Sequence, residues 1–307
     1  MERKYDVAII GSGGAGLTAA IYSSRARLGT VLFEKLMSGG QIALTDIVEN
    51  YPGFPEGITG AEISKRMEDQ AKRYGTTLVY EEVKSLVPRG KDFEIVTANA
   101  TYKSRALIFT AGASFRTLGV SGEKELTGRG VSYCATCDGA FFKDKDVIVV
   151  GGGDSALQEG LFLTRFVTRL SIVHRRDQLR AGPLLQQRAK QNPKIHYIWD
   201  TVVEKIYGDK KVEGVNLRNV KTGKVQDFKT DGVFVFIGHE PNSALLKGLV
   251  NLDEKGYVKT DPFLRTSVPG IFAAGEIRAG ATRQLVAACG EGCEAAMAAQ
   301  AYLDALK

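Results

Sequence analysis

Four cysteines and three histidines are few for a chain of 307 residues, and their scarcity excludes whole classes of protein. A secreted scaffold held by disulfides needs a denser cysteine framework. The sequence has no apolar run of roughly 18 or more residues, so no transmembrane helix is expected. The opening MERKYDVAIIGSGGAG passes from charged residues straight into a strand pattern, with no apolar stretch and cleavage site of a secretory leader. These absences point to a reducing cytoplasm, where a Cys-x-x-Cys pair reads as redox or metal chemistry. A basic tract is lacking too. The net charge is +6, but Lys and Arg are interspersed with Asp and Glu, so nucleic-acid binding is not expected. No Ser-His-Asp set and no carboxylate pair stands out.

Glycine, by contrast, is plentiful. The 35 glycines stand above the roughly 7% of an average chain. They cluster behind apolar runs, where loops need φ > 0 or close backbone approach to a ligand. The length suggests two domains of roughly 100–200 residues each. Two copies of one unit are visible. In the first, Tyr5–Ile10 leads into Gly11-Ser-Gly13-Gly14-Ala15-Gly16, a helical stretch and the strand Thr30–Phe33. In the second, Asp146–Val150 leads into Gly151-Gly-Gly153-Asp154-Ser155-Ala156, a helical stretch and the strand Leu170–Val173. A single G-x-G-x-x-G is a weak signal, but two in strand-to-helix context are strong. The glycines permit the tight turn, the approach of backbone N–H groups to a pyrophosphate, and close packing of helix on strand. The helix N-terminus adds a positive dipole.

Between and after these units, alternating segments predict strands at Thr76–Val87, Phe93–Thr97, Thr101–Phe109, Ile195–Tyr207, Val212–Val220 and Val225–Val235. Gly238-His-Glu-Pro-Asn242 reads as a connector. A last strand, Gly270–Gly275, and a small-residue-rich helix from about Gln284 to Leu306 are too little for a core of their own and are expected to complete the first domain. The fold class expected is α/β, with two Rossmann-like, three-layer ββα dinucleotide-binding domains, the second (115–242) inserted in the first (1–114 and 243–307).

The two units differ at one informative place. Twenty-three residues after the first glycine of each loop, unit one has Glu34 and unit two has His174, followed by Arg175 and Arg176. An acid there bonds the hydroxyls of an unphosphorylated ribose and repels a 2′-phosphate. Arginines there, with Arg180 nearby, offer forked donors to a phosphate dianion. Unit one therefore suits FAD or NAD and unit two suits NADPH, the rival reading being a solvated basic patch.

Cys134-Ala-Thr-Cys137-Asp138-Gly139 lies just ahead of the second unit. The spacing lets two sulfurs reach bonding distance, and thiolates in such motifs are often stabilised. Zinc is the rival, but Cys289 and Cys293, spaced i, i+4 on a helix, do not make a second knuckle; no metal is expected. Asp138 suits a proton donor or acceptor for dithiol chemistry, or is simply a turn residue. Cys289 and Cys293 read as small buried hydrophobes, with an auxiliary redox role as the alternative. His196 and His239 read as structural.

Over essentially its whole length the chain resembles the low-molecular-weight thioredoxin reductases. The matching motifs are the first glycine loop, Gly39-Gly40-Gln41, Glu49-Asn-Tyr-Pro-Gly53, Cys134-Ala-Thr-Cys137-Asp138, Gly151–Ala156, His174-Arg-Arg-Asp-Gln-Leu-Arg180, Gly238–Asn242 and Arg283-Gln284. The resemblance implies FAD in the discontinuous domain, near Gly39, Gly40, Gln41, Asn50, Ala111, Gly112, Gly275, Glu276, Arg283 and Gln284. It further implies NADPH in the inserted domain, a cytoplasmic homodimer, and thioredoxin as the protein substrate. Because cysteines and NADPH site share the inserted domain, it also implies rotation about linkers near Ala113–Thr117 and His239–Ser243. Within the pair, Cys137 beside Asp138 is expected to face the flavin and Cys134 to be the more exposed. One departure stands out: the family usually has Gly-Asp where this chain has Gly275-Glu276.

Overall fold

The computed structural model describes residues 3–45, 47–48 and 50–306. In chain order the first elements are β1 (Arg3–Ile10), α1 (Gly14–Arg25), β2 (Thr30–Phe33), α2 (Gly60–Arg73), β3 (Thr77–Val79), β4 (Ser85–Arg89), β5 (Asp92–Val96), β6 (Thr101–Phe109) and β7 (Ala113–Phe115). The middle of the chain holds β8 (Val131–Ser132), α3 (Ala135–Asp138), β9 (Asp146–Val150), α4 (Asp154–Leu163), β10 (Arg169–Val173), α5 (Pro183–Gln191) and β11 (Ile195–Ile198). Then come β12 (Thr201–Tyr207), β13 (Gly214–Asn219), β14 (Val225–Lys229), β15 (Gly232–Val235), β16 (His239–Pro241), β17 (Ile271–Ala273) and α6 (Leu285–Asp304). The chain divides into two compact units, one made of Met1–Ser114 with Glu240–Lys307 and the other of Phe115–His239. The strands at the two crossings, β7 and β16, pair with each other.

The first unit is built on a sheet in the order β3-β2-β1-β6-β5-β4, with β17 also on β6. β6 is the axis: β1 and β17 run parallel to it, while β5 joins its opening half antiparallel. Residues alternate strictly between the two faces, as the pleat demands. Val7, Ile9, Ala106 and Ile108 pack under α1 and α6. Ala8, Ile10, Leu107 and Phe109 face the other way, onto Leu246, Val250 and Val258. Parallel strands covered on both faces must be apolar throughout, which is why the sequence shows continuous runs there.

Helices α1 and α6 cross closely because their contact is made of small residues, Ala15, Ala19 and Ala20 against Ala295, Ala296 and Ala299. At Gly292 the approach is closest: a Cβ would lie 2.1 Å from the Ala15 carbonyl oxygen. Gly292→Ala must therefore push the two helices apart, and an overpacked contact of this kind costs about 1–3 kcal/mol. A lowered Tm by calorimetry is the expected result; an unchanged Tm would mean that α6 shifts freely.

The second unit has three layers. Its central sheet, β11-β10-β9-β15-β8, is parallel throughout. Val147 and Val149 of β9 point to the helix side with Leu157 and Leu163 of α4, while Ile148 and Val150 meet Val203, Val215 and Leu217 of the antiparallel sheet β12-β13-β14. Two long alternating segments are broken by the structure. Ile195–Tyr207 divides between sheets at Asp200, which adopts φ +49. Val225–Val235 likewise divides into an edge strand and a central one. Periodicity alone could not see these breaks, because both halves alternate equally well. Thr76–Val87 also yields two short strands, β3 and β4, in place of one.

Candidate active site

In the first unit β1 delivers the chain to Gly11, whose φ of +103 and approach to Thr110 (a Cβ would lie 2.6 Å from its carbonyl oxygen) admit only glycine. Gly16 is equally enclosed, its Cβ position 1.8 Å from the Gly11 oxygen. Gly13 caps α1 with neither a side-chain cap nor an acid in the first turn, so the helix leaves its amide groups and dipole to an anion. A Cβ on Gly14 would strike Leu285, and Ala15 is buried against α6.

Ser12, which the sequence reading passed over, organises what surrounds this loop. Its amide and hydroxyl both donate to Glu34 Oε2, at 3.1 and 2.7 Å. Its carbonyl accepts the Gly39 amide at 2.8 Å. The strand-tip acid and the Gly39–Gly40 turn are thereby tied to the glycine loop. Gly39, at φ +107, starts the 3-10 turn Gly40–Leu44, and the Gln41 side-chain amide donates to the Ala113 carbonyl.

Further along the same strand ends, the Ala111 and Gly112 carbonyls accept the side-chain and backbone N–H of Asn242, at 2.8 and 3.0 Å. The Asn50 amide donates to Gln284 Oε1 at 2.9 Å, joining two residues far apart in sequence. Glu49 lies outside the described residues.

Gly275 (φ +78) donates its amide to Glu291 Oε2 at 2.7 Å. Glu291 in turn holds Arg278 through a largely buried ion pair of 2.5 Å. Neither residue carries a sequence signal, since they meet only when α6 returns. Glu276, next to Gly275, is half-buried and makes no hydrogen bond among the described residues. Burial pushes its carboxyl pKa up, and the Arg283 guanidinium pulls partly back.

In the second unit Gly151 (φ +149) makes the turn after β9, with Phe236 too close for a Cβ. Gly153 caps α4 without a side-chain cap. The Asp154 carboxylate accepts the Gly182 amide at 2.7 Å, Ser155 is exposed and Ala156 buried. The Gly152 carbonyl accepts the amides of Arg180 and Ala181, at 2.7 and 3.2 Å, which clamps the segment after β10 onto the loop.

The four residues grouped there in the sequence separate in space. The His174 ring folds beneath Gly152, where a Cβ would lie 2.4 Å from it. Its Nε2 is buried without a hydrogen-bond partner. Burial, helped by Arg176 and Arg175, pushes its pKa down, so the imidazole is neutral at pH 7. Arg175, Arg176 and Arg180 are exposed, and among the described residues none has a carboxylate within 4.0 Å. The neighbouring acids Asp177 and Asp200 are both held by Lys221 at 3.0 Å, which leaves the guanidinium groups available.

Cys134 and Cys137 are joined as a disulfide with Cα atoms 5.3 Å apart, within the usual span of about 4.4–6.8 Å. Cys134 caps the short helix α3, and its Sγ accepts the Cys137 amide at 3.2 Å. The Ser132 hydroxyl donates to Asp138 Oδ2 at 2.6 Å and accepts the Cys134 amide at 3.1 Å. Ser132 thus positions both the acid and the pair. The two cysteines are half-buried alike, so exposure does not rank them.

The other two cysteines stay apart as free thiols. Cys289 is buried near the Gly14 carbonyl, and burial pushes its thiol pKa up, whereas Cys293 is only half-buried. His239 packs on the Phe115 ring at 4.9 Å and His196 is exposed on β11. Among the described residues no helix is long and apolar enough to cross a membrane.

The sequence pattern of the pyridine nucleotide-disulphide oxidoreductases matches residues 5–292. The thioredoxin reductase of Bacillus subtilis is 50% identical over 308 residues, covering 100% of this chain and 97% of the relative. That of Listeria monocytogenes is 50% identical over 311 residues, covering 100% and 96%. The crystal structure of thioredoxin reductase from Streptococcus pyogenes matches with a TM-score of 0.95 at 43% identity, covering 99% of this chain and 100% of that one. The chain belongs to the pyridine nucleotide-disulphide oxidoreductase family, in its branch of low-molecular-weight thioredoxin reductases.

Proposed function

We propose that this chain is an NADPH-dependent thioredoxin reductase of the cytoplasm, with FAD held by the first unit, NADPH by the second, and Cys134–Cys137 as the disulfide that serves thioredoxin. The observation that carries the reading is the disulfide itself, capping α3 beside a Ser132-held Asp138, on the unit whose strand tip presents free arginines. Features of both units support the nucleotide assignments. The uncapped α1 behind Gly11–Gly16, with Glu34 locked at the strand tip, matches a pyrophosphate and an unphosphorylated ribose. The exposed Arg175, Arg176 and Arg180, with no carboxylate engaged among the described residues, support a ribose bearing a 2′-phosphate there.

When bound between Gly11–Gly16 and the Gly39–Gln41 turn, FAD would supply the two-electron chemistry that links NADPH to a disulfide. The chain's own residues do the rest. Arg175, Arg176 and Arg180 select the phosphorylated dinucleotide. Asp138 holds or releases the proton that accompanies the change between disulfide and dithiol. Donation of the Cys137 amide to Cys134 Sγ favours a thiolate there. That thiolate attacks a disulfide sulfur of the partner, and Cys137 then resolves the mixed disulfide. For the dimer, the exposed side chains Val286 and Met297 of α6, with Tyr22 of α1, offer an apolar contact.

Steady-state NADPH oxidation with and without thioredoxin tests the function directly. Turnover that depends on thioredoxin is expected; turnover with a glutaredoxin-like or peroxiredoxin acceptor alone would replace the substrate. At Glu276, Glu276→Asp should leave FAD bound and keep activity within about tenfold, roughly 1.4 kcal/mol. Complete loss of flavin absorbance would mean that the site is built around the longer side chain.

A further inference from the structure

Beside the cysteines lies a buried carboxylate that the chemistry above does not use. Glu123 is 4% exposed. Its Oε1 accepts the Leu118 amide and its Oε2 the Gly119 amide, both at 2.8 Å. Oε1 also accepts the Tyr133 hydroxyl at 2.8 Å. Tyr133 immediately precedes Cys134, and its ring stacks on Phe115 with centroids 5.1 Å apart and planes inclined by 20°. Phe115 in turn packs on His239 at 4.9 Å. Phe115 and His239 are the first and last residues of the second unit, and they belong to the paired strands β7 and β16 through which the chain enters and leaves it.

One buried acid therefore binds the segment just after the entering crossing and, through Tyr133, the segment that carries the redox pair. A carboxylate with three donors is well compensated in low dielectric, and a network of this kind holds geometry more firmly than separate bonds. The Tyr133 phenol is held protonated by burial first and by Glu123 second, so it remains a donor throughout the ordinary pH range.

We infer that Glu123 and Tyr133 are positioning residues that tie the Cys134–Cys137 segment to both chain crossings of its unit, setting the rate of the steps in which the Cys134–Cys137 disulfide breaks or forms and not of the hydride delivery before them. The inference rests on the disulfide-reductase reading. Its chemical consequence is geometric: attack on a sulfur needs near-linear approach at close range, and a segment released from its anchor spends less time in that geometry.

The test is anaerobic rapid mixing of the FAD-loaded enzyme with NADPH, reading two signals in one reaction. Bleaching of the flavin reports hydride arrival, and trapping of new thiols with an alkylating reagent reports reduction of Cys134–Cys137. Tyr133→Phe keeps the ring on Phe115 and removes only the hydroxyl. Thiol formation should slow five- to twentyfold while bleaching stays within twofold of wild type. Glu123→Gln should slow it at least as much, and the double variant should be no slower than Glu123→Gln alone, because both changes break one link. Equal thiol formation in wild type and Tyr133→Phe would overturn the inference, as would slowing of both signals together or additive effects in the double variant. If Glu123→Gln failed to fold, Tyr133→Phe alone would still decide. A wild-type enzyme that bleaches but forms no thiols would instead overturn the disulfide-reductase reading, and this inference with it.

Discussion

Cys134→Ser and Cys137→Ser are each expected to abolish thioredoxin reduction while leaving FAD bound and NADPH-driven reduction of ferricyanide intact. A lone thiol can open a partner disulfide but cannot release the product, because the mixed disulfide has no second sulfur to resolve it. The fold should tolerate either change. Serine at position 134 keeps an acceptor for the Cys137 amide at the cap of α3, and at position 137 it preserves the amide donor itself. Neither cysteine belongs to the unit that carries Gly11–Gly16 and Glu34. Two assays on the same preparation check this. Normal thioredoxin turnover in Cys134→Ser would remove the pair from the reaction, and loss of ferricyanide reduction in either variant would put the cysteines ahead of hydride transfer.

The second large effect concerns the choice between NADPH and NADH. Replacing Arg175 and Arg176 together with Leu should raise KM for NADPH far more than for NADH. A charge-assisted hydrogen bond to phosphate is worth about 1.5–3 kcal/mol, and exposure of both guanidinium groups places the effect toward the lower end. A rise of roughly tenfold or more per arginine follows, since 1.4 kcal/mol is a factor of about ten. The neighbouring acids are already engaged, Asp177 and Asp200 with Lys221, so among the described residues the substitutions break no ion pair and stability should hardly change. A wild type that used NADH as well as NADPH would show that the arginines do not read the phosphate.

His174 illustrates where sequence proximity misleads. It stands beside Arg175 and Arg176 in the chain, yet β10 ends at Val173 and the backbone leaves the strand there, so its ring goes under Gly152 while the arginines go to solvent. An uncharged imidazole there can share a hydrogen bond with a phosphate but adds no positive charge to it. The Cys289 and Cys293 pair separates in a similar way. They lie one helical turn apart, yet Cys289 is buried near the Gly14 carbonyl while the half-buried Cys293 meets the Tyr22 hydroxyl of α1.

Several contacts between site residues had no sequence signal because the partners are distant in the chain. Asn50 meets Gln284, Gly275 meets Glu291, and Ala111 meets Asn242 only after the C-terminal segment has returned to the first unit. Ser12 was legible in position, between two glycines, but its threefold bonding to Glu34 and Gly39 needed the ends of β1 and β2 to lie side by side. Ser132 and Glu123 are further examples, a short-range bond and a buried acid whose roles depend on backbone direction and not on spacing.

What the sequence determined by itself was local and covalent in origin. Glycines at turns that forbid a Cβ, apolar runs long enough for strands buried on both faces, a two-residue gap between cysteines, and the acid-against-arginine contrast at two strand tips are all properties of short stretches of chain. They were enough for the α/β fold class and the family. The division of Ile195–Tyr207 and Val225–Val235 between two sheets, the pairing of the two crossings, the burial of His174 and Glu276, and the tie from Glu123 through Tyr133 to Phe115 were decided by tertiary structure. Each depends on which distant backbone or side chain arrives as a neighbour, and desolvation and hydrogen bonding act through space, so no window of sequence contains their cause.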